Sequence, residues 1–189
     1  MKNLLIAIKL FATLTIITGL LYPLSLTLFA QIFFNEKANG SLIYCEKKCI
    51  GSELIGQKFV SPDFFWGRPS AIDYNPFPSG GSNMNPVGEK LKTAIQYRID
   101  TIRKYHQGAD LHTIPKDLLF ASASGVDPHI SPEAIYFQFD RVCTFRKFND
   151  GQRKKLFNAI KSSIETDGLI IGGQSKVNVF KLNLKLLEI

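Results

Sequence analysis

The sequence predicts an α+β protein, with a single N-terminal transmembrane helix followed by one extracytoplasmic α+β domain. Three observations carry this. From Leu10 to Phe34 there is no charged side chain. Leu91, Ile95, Ile99 and Ile102, and again Ile135, Phe139, Val142 and Phe145, recur at the spacing of one helix face. Short apolar runs divided by Gly40, Gly51 and Gly56, and a near-alternating run from Val177 to Leu186, read as strands.

Leu10–Phe34 comes first. Its length at about 1.5 Å per residue exceeds the roughly 30 Å of a bilayer's hydrocarbon core. A cleaved signal peptide has a shorter apolar stretch and a small-x-small site, whereas Leu28-Phe29-Ala30 puts Leu where a small side chain is required, so an uncleaved anchor is expected. Pro23 lies inside the run and is expected to kink it where Thr and Ser neighbours compensate for the missing donor. Lys2 and Lys9 precede the span, which gives residues 1–9 as a cytoplasmic start, 10–34 as the membrane helix and 35–189 as the extracytoplasmic body.

Of the 189 residues, 45% are hydrophobic, enough for one domain beyond the anchor. Beyond the anchor, residues 35–189 carry 21 Lys/Arg against 16 Asp/Glu, a surplus that suits an anionic membrane surface or an acidic partner, and nucleic acid is excluded by the topology. Cys45, Cys49 and Cys143 cannot all pair. A small disulfide loop between Cys45 and Cys49 stays open, and no metal-ligand spacing is present.

Residues 38–59 are expected to form short strands and turns. Phe64 to Pro86, FFWGRPSAIDYNPFPSGGSNMNP, is too rich in Gly and Pro for regular structure and too aromatic for a disordered linker. A loop of that length in a compact domain is functional or packed on itself. An amphipathic helix follows over 87–106, ended by Gly108, then a short turn or helix over 114–119. Ser131 and Pro132 mark the next helix start. Another helix is expected over Asp150–Thr166, before Asp167-Gly168, and one or two strands over 177–189.

The chain lacks a P-loop and the Asp-Lys-Thr-Gly-Thr phosphorylation segment of P-type ATPases. Ser79, Gly80, Gly81 and Ser82, with Arg68 nearby, offer a backbone nest for an anion, but no strand precedes it and no helix directly follows; a structural turn is the better reading. Ser122, Ser124, Asp127 and His129 crowd one segment as a triad never does, so turn and cap chemistry is expected rather than catalysis. His106 and His112 read as solvated histidines at a helix end and in a loop. No catalytic residue and no metal ligand is assigned.

Several stretches together resemble one family, the C subunit (KdpC) of the Kdp potassium-transporting P-type ATPase. They are Thr18-Gly19-Leu20-Leu21-Tyr22-Pro23-Leu24, Gln31 with Ala38-Asn39-Gly40-Ser41-Leu42-Ile43, and Gly51 to Phe59. Phe65-Trp66-Gly67-Arg68-Pro69-Ser70-Ala71, Tyr74-Asn75-Pro76 and Ser79-Gly80-Gly81-Ser82-Asn83 follow, then Ala121 to Pro132, Gly173-Gln174, Val177-Asn178-Val179 and Leu182-Asn183. The likeness runs in order along nearly the whole chain.

The resemblance implies a non-catalytic, single-span subunit of the inner membrane. Its partners would be a channel-like potassium-selecting subunit, a P-type subunit that hydrolyses ATP, a small single-span subunit and membrane lipid. It implies a catalytic chaperone that raises the nucleotide affinity of the ATPase subunit, with no tightly bound cofactor and ATP contacted only in the complex. The family's L-S-x-x-Q-like segment aligns with Phe148-Asn149-Asp150-Gly151-Gln152, which keeps only Gln152 as the nucleotide-binding candidate. Arg68, Tyr74, Asn75, Gly80, Gly81, Asn83, Asp127 and Asn178 are carried over as structural or partner-contact candidates. An extracytoplasmic body conflicts with contact to cytoplasmic ATP. A purely structural cap on the potassium-selecting subunit is therefore the alternative, and an anchored cell-envelope enzyme the remote one.

Overall fold

The computed structural model describes residues 1–106, 113–166 and 173–189. It divides into two units, Met1–Ile50 and Gly51–Ile189. The expected helix end at Gly108, His112 and the Asp167-Gly168 break lie outside the described residues.

The first unit begins with α1 (Lys2–Ile16), a π turn (Ile17–Leu21) and α2 (Tyr22–Phe33), which form one unbroken helix. No residue of it is buried, so its apolar surface has no cover within the unit. The π turn answers the problem posed by Pro23, which sits in the first turn of α2. The Tyr22 N–H reaches back five residues to the Ile17 carbonyl, and the wider turn makes room for the proline ring. Hydroxyls bond back onto the same helix: Thr18 to the Leu14 carbonyl at 2.7 Å and Thr27 to the Pro23 carbonyl at 2.8 Å. Such self-satisfaction is what a hydrocarbon environment demands.

The short α3 (Asn35–Ala38) closes the helix, and Gln31 Oε1 accepts from Asn35 at 3.0 Å and Asn39 at 3.2 Å. Strands β1 (Leu42–Cys45) and β2 (Lys48–Ser52) form the expected hairpin. Glu46 and Lys47 between them both have positive φ, 48° and 67°, as a two-residue turn of the primed kind requires. Cys45 and Cys49 are both exposed.

The second unit is a mixed layer of helices and a small sheet. Its elements are α4 (Glu89–Tyr105), α5 (Lys116–Leu119), β3 (His129–Ile130), α6 (Pro132–Phe145), α7 (Asp150–Ser162), β4 (Ile164–Thr166), β5 (Ser175–Asn178) and α8 (Val179–Leu187). The sheet is antiparallel in the order β3-β5-β4, with Ile130 and Ile164 both opposite Val177. Ser131 caps α6 with Pro132 in its first turn, as its sequence indicates. Asn149 caps α7 in a capping box with Gln152. Ile135, Leu156, Ile160, Leu182 and Leu186 are fully buried, each contributing about 1.5–3 kcal/mol.

Three expectations are corrected. Residues 179–187 are a helix, not a strand. Val179, Leu182 and Leu186 are buried at helical spacing, and the Asn178 side chain accepts the Lys181 N–H at 3.1 Å, capping α8. Strand structure survives only up to Asn178. The helix expected over Asp150–Thr166 stops at Ser162, because Ile164–Thr166 extends to pair with β5. His106 is not solvated: it is buried, stacked on Phe137 at 4.9 Å and bonded to Arg141.

The aromatic loop is clamped into this core by side chains that bond its backbone. Asn183 Oδ1 accepts the Phe65 N–H and its amide donates to the Phe65 carbonyl, both at 2.9 Å. Gln138 does the same for Trp66, at 2.8 and 3.1 Å. Arg141 donates to the Pro62 carbonyl, and Arg146 to the Asp63 carbonyl at 2.8 Å. Helix side chains thus supply the partners that neighbouring strands would otherwise supply, which satisfies the backbone at the buried Phe65 and its neighbours. The Arg141 guanidinium also lies 3.9 Å from the centre of the Trp66 ring. Burial pulls Arg141 down to about 9, still protonated at neutral pH.

Candidate functional site

Because residues 62–66 are held rigidly, the next stretch of loop forms one wall of a groove whose other wall is α4. The groove encloses about 390 Å³. Trp66, Ile102 and Leu118 line it together with Tyr97 and Tyr105, and the charged residues there are Lys58, Arg68, Asp73 and Arg98. Trp66 meets Tyr105 edge-on at 5.7 Å. Tyr97 is 74% exposed and Val60 is 70% exposed, so the groove's rim presents apolar surface to solvent.

Arg68 forms the inner end. Its Nη1 lies 3.4 Å from Asp127 Oδ2 and its Nε 3.9 Å from Asp117 Oδ1, so one guanidinium joins two carboxylates. Tyr74 donates its hydroxyl proton to the Arg68 carbonyl. Burial, then the Asp127 charge, pushes the Tyr74 phenol up to about 12, which keeps it a donor at neutral pH. Burial raises the Asp127 carboxyl, but hydrogen bonds from His129 and the Arg68 charge outweigh it and hold the carboxyl below its usual value. On the far side of Arg68 a second cavity of about 290 Å³ is lined by Asp117, Asp127, His129 and Gln174.

The structure brings together most of the sequence-predicted residues. Arg68, Tyr74 and Asp127 form one cluster. Gly80 donates to the Ser124 carbonyl at 3.1 Å, and a Cβ on Gly81 would stand 2.9 Å from the Ala123 carbonyl oxygen, so these glycines pack the loop onto residues 121–128. Ser124 and Asp127 accept from the Val126 and His129 N–H groups two residues on, the turn chemistry their spacing indicates. Asn178 faces His129 across the sheet and donates to the Glu53 carbonyl at 2.8 Å. Asn75 accepts the Phe77 N–H at 3.1 Å. Asn83 sits apart, at φ 48° and exposed. Gln152 is also elsewhere: its Oε1 accepts the Asn149 N–H at 3.2 Å and its Nε2 donates to the Ile189 carbonyl at 3.3 Å.

Sequence reasoning missed Asp117, Gln138, Arg141, Asn183 and Arg98. A signal existed for two of them, since Gln138 falls between Ile135 and Val142 on the apolar face of a recognised helix and Arg141 lies beside it. A polar residue on a core face is the mark of a buried bonding role.

Arg68→Lys tests the bridging role. Lysine keeps the charge but cannot face two carboxylates with one planar fork. The substitution is expected to lower stability by about 1 kcal/mol, in line with a partly exposed pair. Thermal melting of the full-length chain in detergent measures it, and an unchanged midpoint would show that the bridge contributes nothing.

A model of the family described as KdpC, K+-transporting ATPase, c chain, matches residues 4–188. A protein of Leptospira interrogans named potassium-transporting ATPase KdpC subunit is 44% identical over 181 residues, covering 96% of this chain and 91% of that protein. Proteins of the same name from Polaromonas naphthalenivorans and Caldanaerobacter subterraneus are 45% and 42% identical, over 98% and 92% of this chain and 95% and 88% of their own lengths.

Proposed function

As the chain belongs to the KdpC family, the c chain of K+-transporting ATPase, we propose that it serves its pump as a non-hydrolytic accessory subunit, stabilising the complex and raising the ATP affinity of the ATPase subunit through conformation. The anchor crosses the inner membrane with its amino terminus in the cytoplasm, and the body stands outside. There it caps the potassium-selecting subunit, within an assembly that also contains the P-type subunit and a small single-span subunit.

The observation that carries this reading is how the chain is built. An apolar helix without protein cover precedes a body whose polar side chains are spent on holding its own backbone. Gln152 belongs to that second group. Both ends of its amide are occupied in the fold, which favours an indirect effect on nucleotide over contact at this residue.

Two variants test it in the assembled pump. A chain reduced to residues 1–34 is expected to abolish copurification with the other subunits or potassium-stimulated ATP hydrolysis; normal activity would overturn the accessory role. Gln152→Ala is expected to cost about 1 kcal/mol of stability through the lost capping box, with the pump's KM for ATP unchanged. A raised KM in a variant that melts normally would instead establish direct contact.

A further inference from the structure

Among the described residues, the groove between the aromatic loop and α4 contains one charge without an ion-pair partner. Lys58 pairs with Asp73 at 2.6 Å, and Arg68 with Asp127 at 3.4 Å. On the outer turns of α4, Lys92 pairs with Glu89 at 2.8 Å and Arg103 with Asp100 at 3.4 Å. Arg98 differs. It donates to the Leu119 carbonyl, and among the described residues it meets no carboxylate within ion-pair distance. Burial lowers its pKa, as expected of a cation stripped of part of its water.

Arg98 shares the groove's lining with Tyr97, Tyr105 and Trp66, and Val60 and Tyr97 are bare at the rim. A forked cation in a groove lined by aromatic residues, with no carboxylate at ion-pair distance among the described residues, is the half of a contact that a carboxylate beside an apolar side chain completes. We propose that this groove docks an acidic, apolar-flanked segment of another subunit of the pump, with a carboxylate of that segment seated on Arg98 and its apolar neighbour against Tyr97 and Trp66. This rests on the reading of the chain as a pump subunit. It assigns the contact to one face and one residue.

The test uses the full-length chain assembled with its partners in native membranes. A benzophenone amino acid placed at Tyr97 is expected to crosslink to a protein segment containing Asp or Glu, mapped by mass spectrometry. Arg98→Gln keeps a donor for Leu119 but removes the charge. It is expected to reduce recovery of the complex after mild detergent extraction about tenfold, while Arg98→Lys retains more of it at equal melting temperature. Reversing the charge on both sides, Arg98→Glu with Lys at the mapped acid, is expected to restore recovery. Crosslinks to lipid, to a second copy of this chain or to a segment without a carboxylate would overturn the assignment, as would full recovery with Arg98→Gln. If the chain copurifies while these arms fail, the groove assignment falls and the subunit reading stands; if the unsubstituted chain does not copurify, both fall.

Discussion

Asn183→Leu is expected to destabilise the body by about 3 kcal/mol or more, although the two side chains are similar in size. The reason is the pair of hydrogen bonds at 2.9 Å to the N–H and carbonyl of Phe65, which is itself fully buried. Leucine leaves one buried donor and one buried acceptor without partners, each costing about 1–3 kcal/mol, and its better burial offsets only part of that. For a chain of this size the melting midpoint is expected to fall by roughly 6–12 °C. The sole tryptophan, Trp66, follows Phe65 directly, so its fluorescence reports release of the clamp. Gln138→Leu acts on the next residue by the same means, and an unchanged midpoint in both variants would show that the amide clamps do not hold the loop.

Acidification is expected to weaken the same region through His106. The ring Nδ1 lies 3.1 Å from the Ile102 carbonyl and donates to it, so Nε2 is the acceptor for Arg141 Nε at 3.2 Å. A second ring proton would bury a cation against a guanidinium. Burial, then the Arg141 charge, lowers His106 to about 4 from an ordinary value near 6.5. The folded pKa is the lower one, so between those values the unfolded chain binds the extra proton. Stability is therefore intact above about pH 6.5 and is lost as pH falls towards 4, by on the order of 3 kcal/mol. Melting of the full-length chain at pH 7 and pH 4.5 measures this. His106→Gln, which keeps an acceptor for Arg141 and does not titrate, is expected to lose most of the difference. A wild-type midpoint that stays level across the range would remove His106 as the cause.

Both predictions concern residues whose importance was hidden in the sequence in different ways. His106 follows an amphipathic helix with no carboxylate pattern around it, and solvation was the reasonable expectation. Its burial follows from Arg141, 35 positions away, and from the ring of Phe137. Asn183 stood in a run with strand-like alternation, VNVFKLNLKLLEI. In so short a run, periods of 2 and 3.6 overlap, so the alternation does not separate strand from helix. On α8 Asn183 shares the buried face with Val179, Leu182 and Leu186.

Arg68 shows the opposite case. The family resemblance carried it over as a structural or partner-contact candidate, and the structure supplies Asp127 and Asp117 as its partners within this domain. Asp117 escaped notice because nothing in its own neighbourhood, a short helix after Pro115, distinguishes it.

The sequence by itself determined the apolar anchor, the α+β class, the capped start of α6, the turn chemistry of residues 121–129 and the family resemblance. Each of these rests on neighbours within a few residues, or on motifs that stay in order along the chain. Only the tertiary structure decided that α8 is a helix, that the start of the aromatic loop is clamped to the core at Phe65 and Trp66, and that Arg98 lines a groove with no carboxylate at ion-pair distance among the described residues. Those facts depend on pairs such as Asn183 with Phe65, 118 positions apart. Local periodicity carries no information about which distant backbone a side chain will meet, and that meeting settles whether a polar residue is buried, paired or left open to a partner.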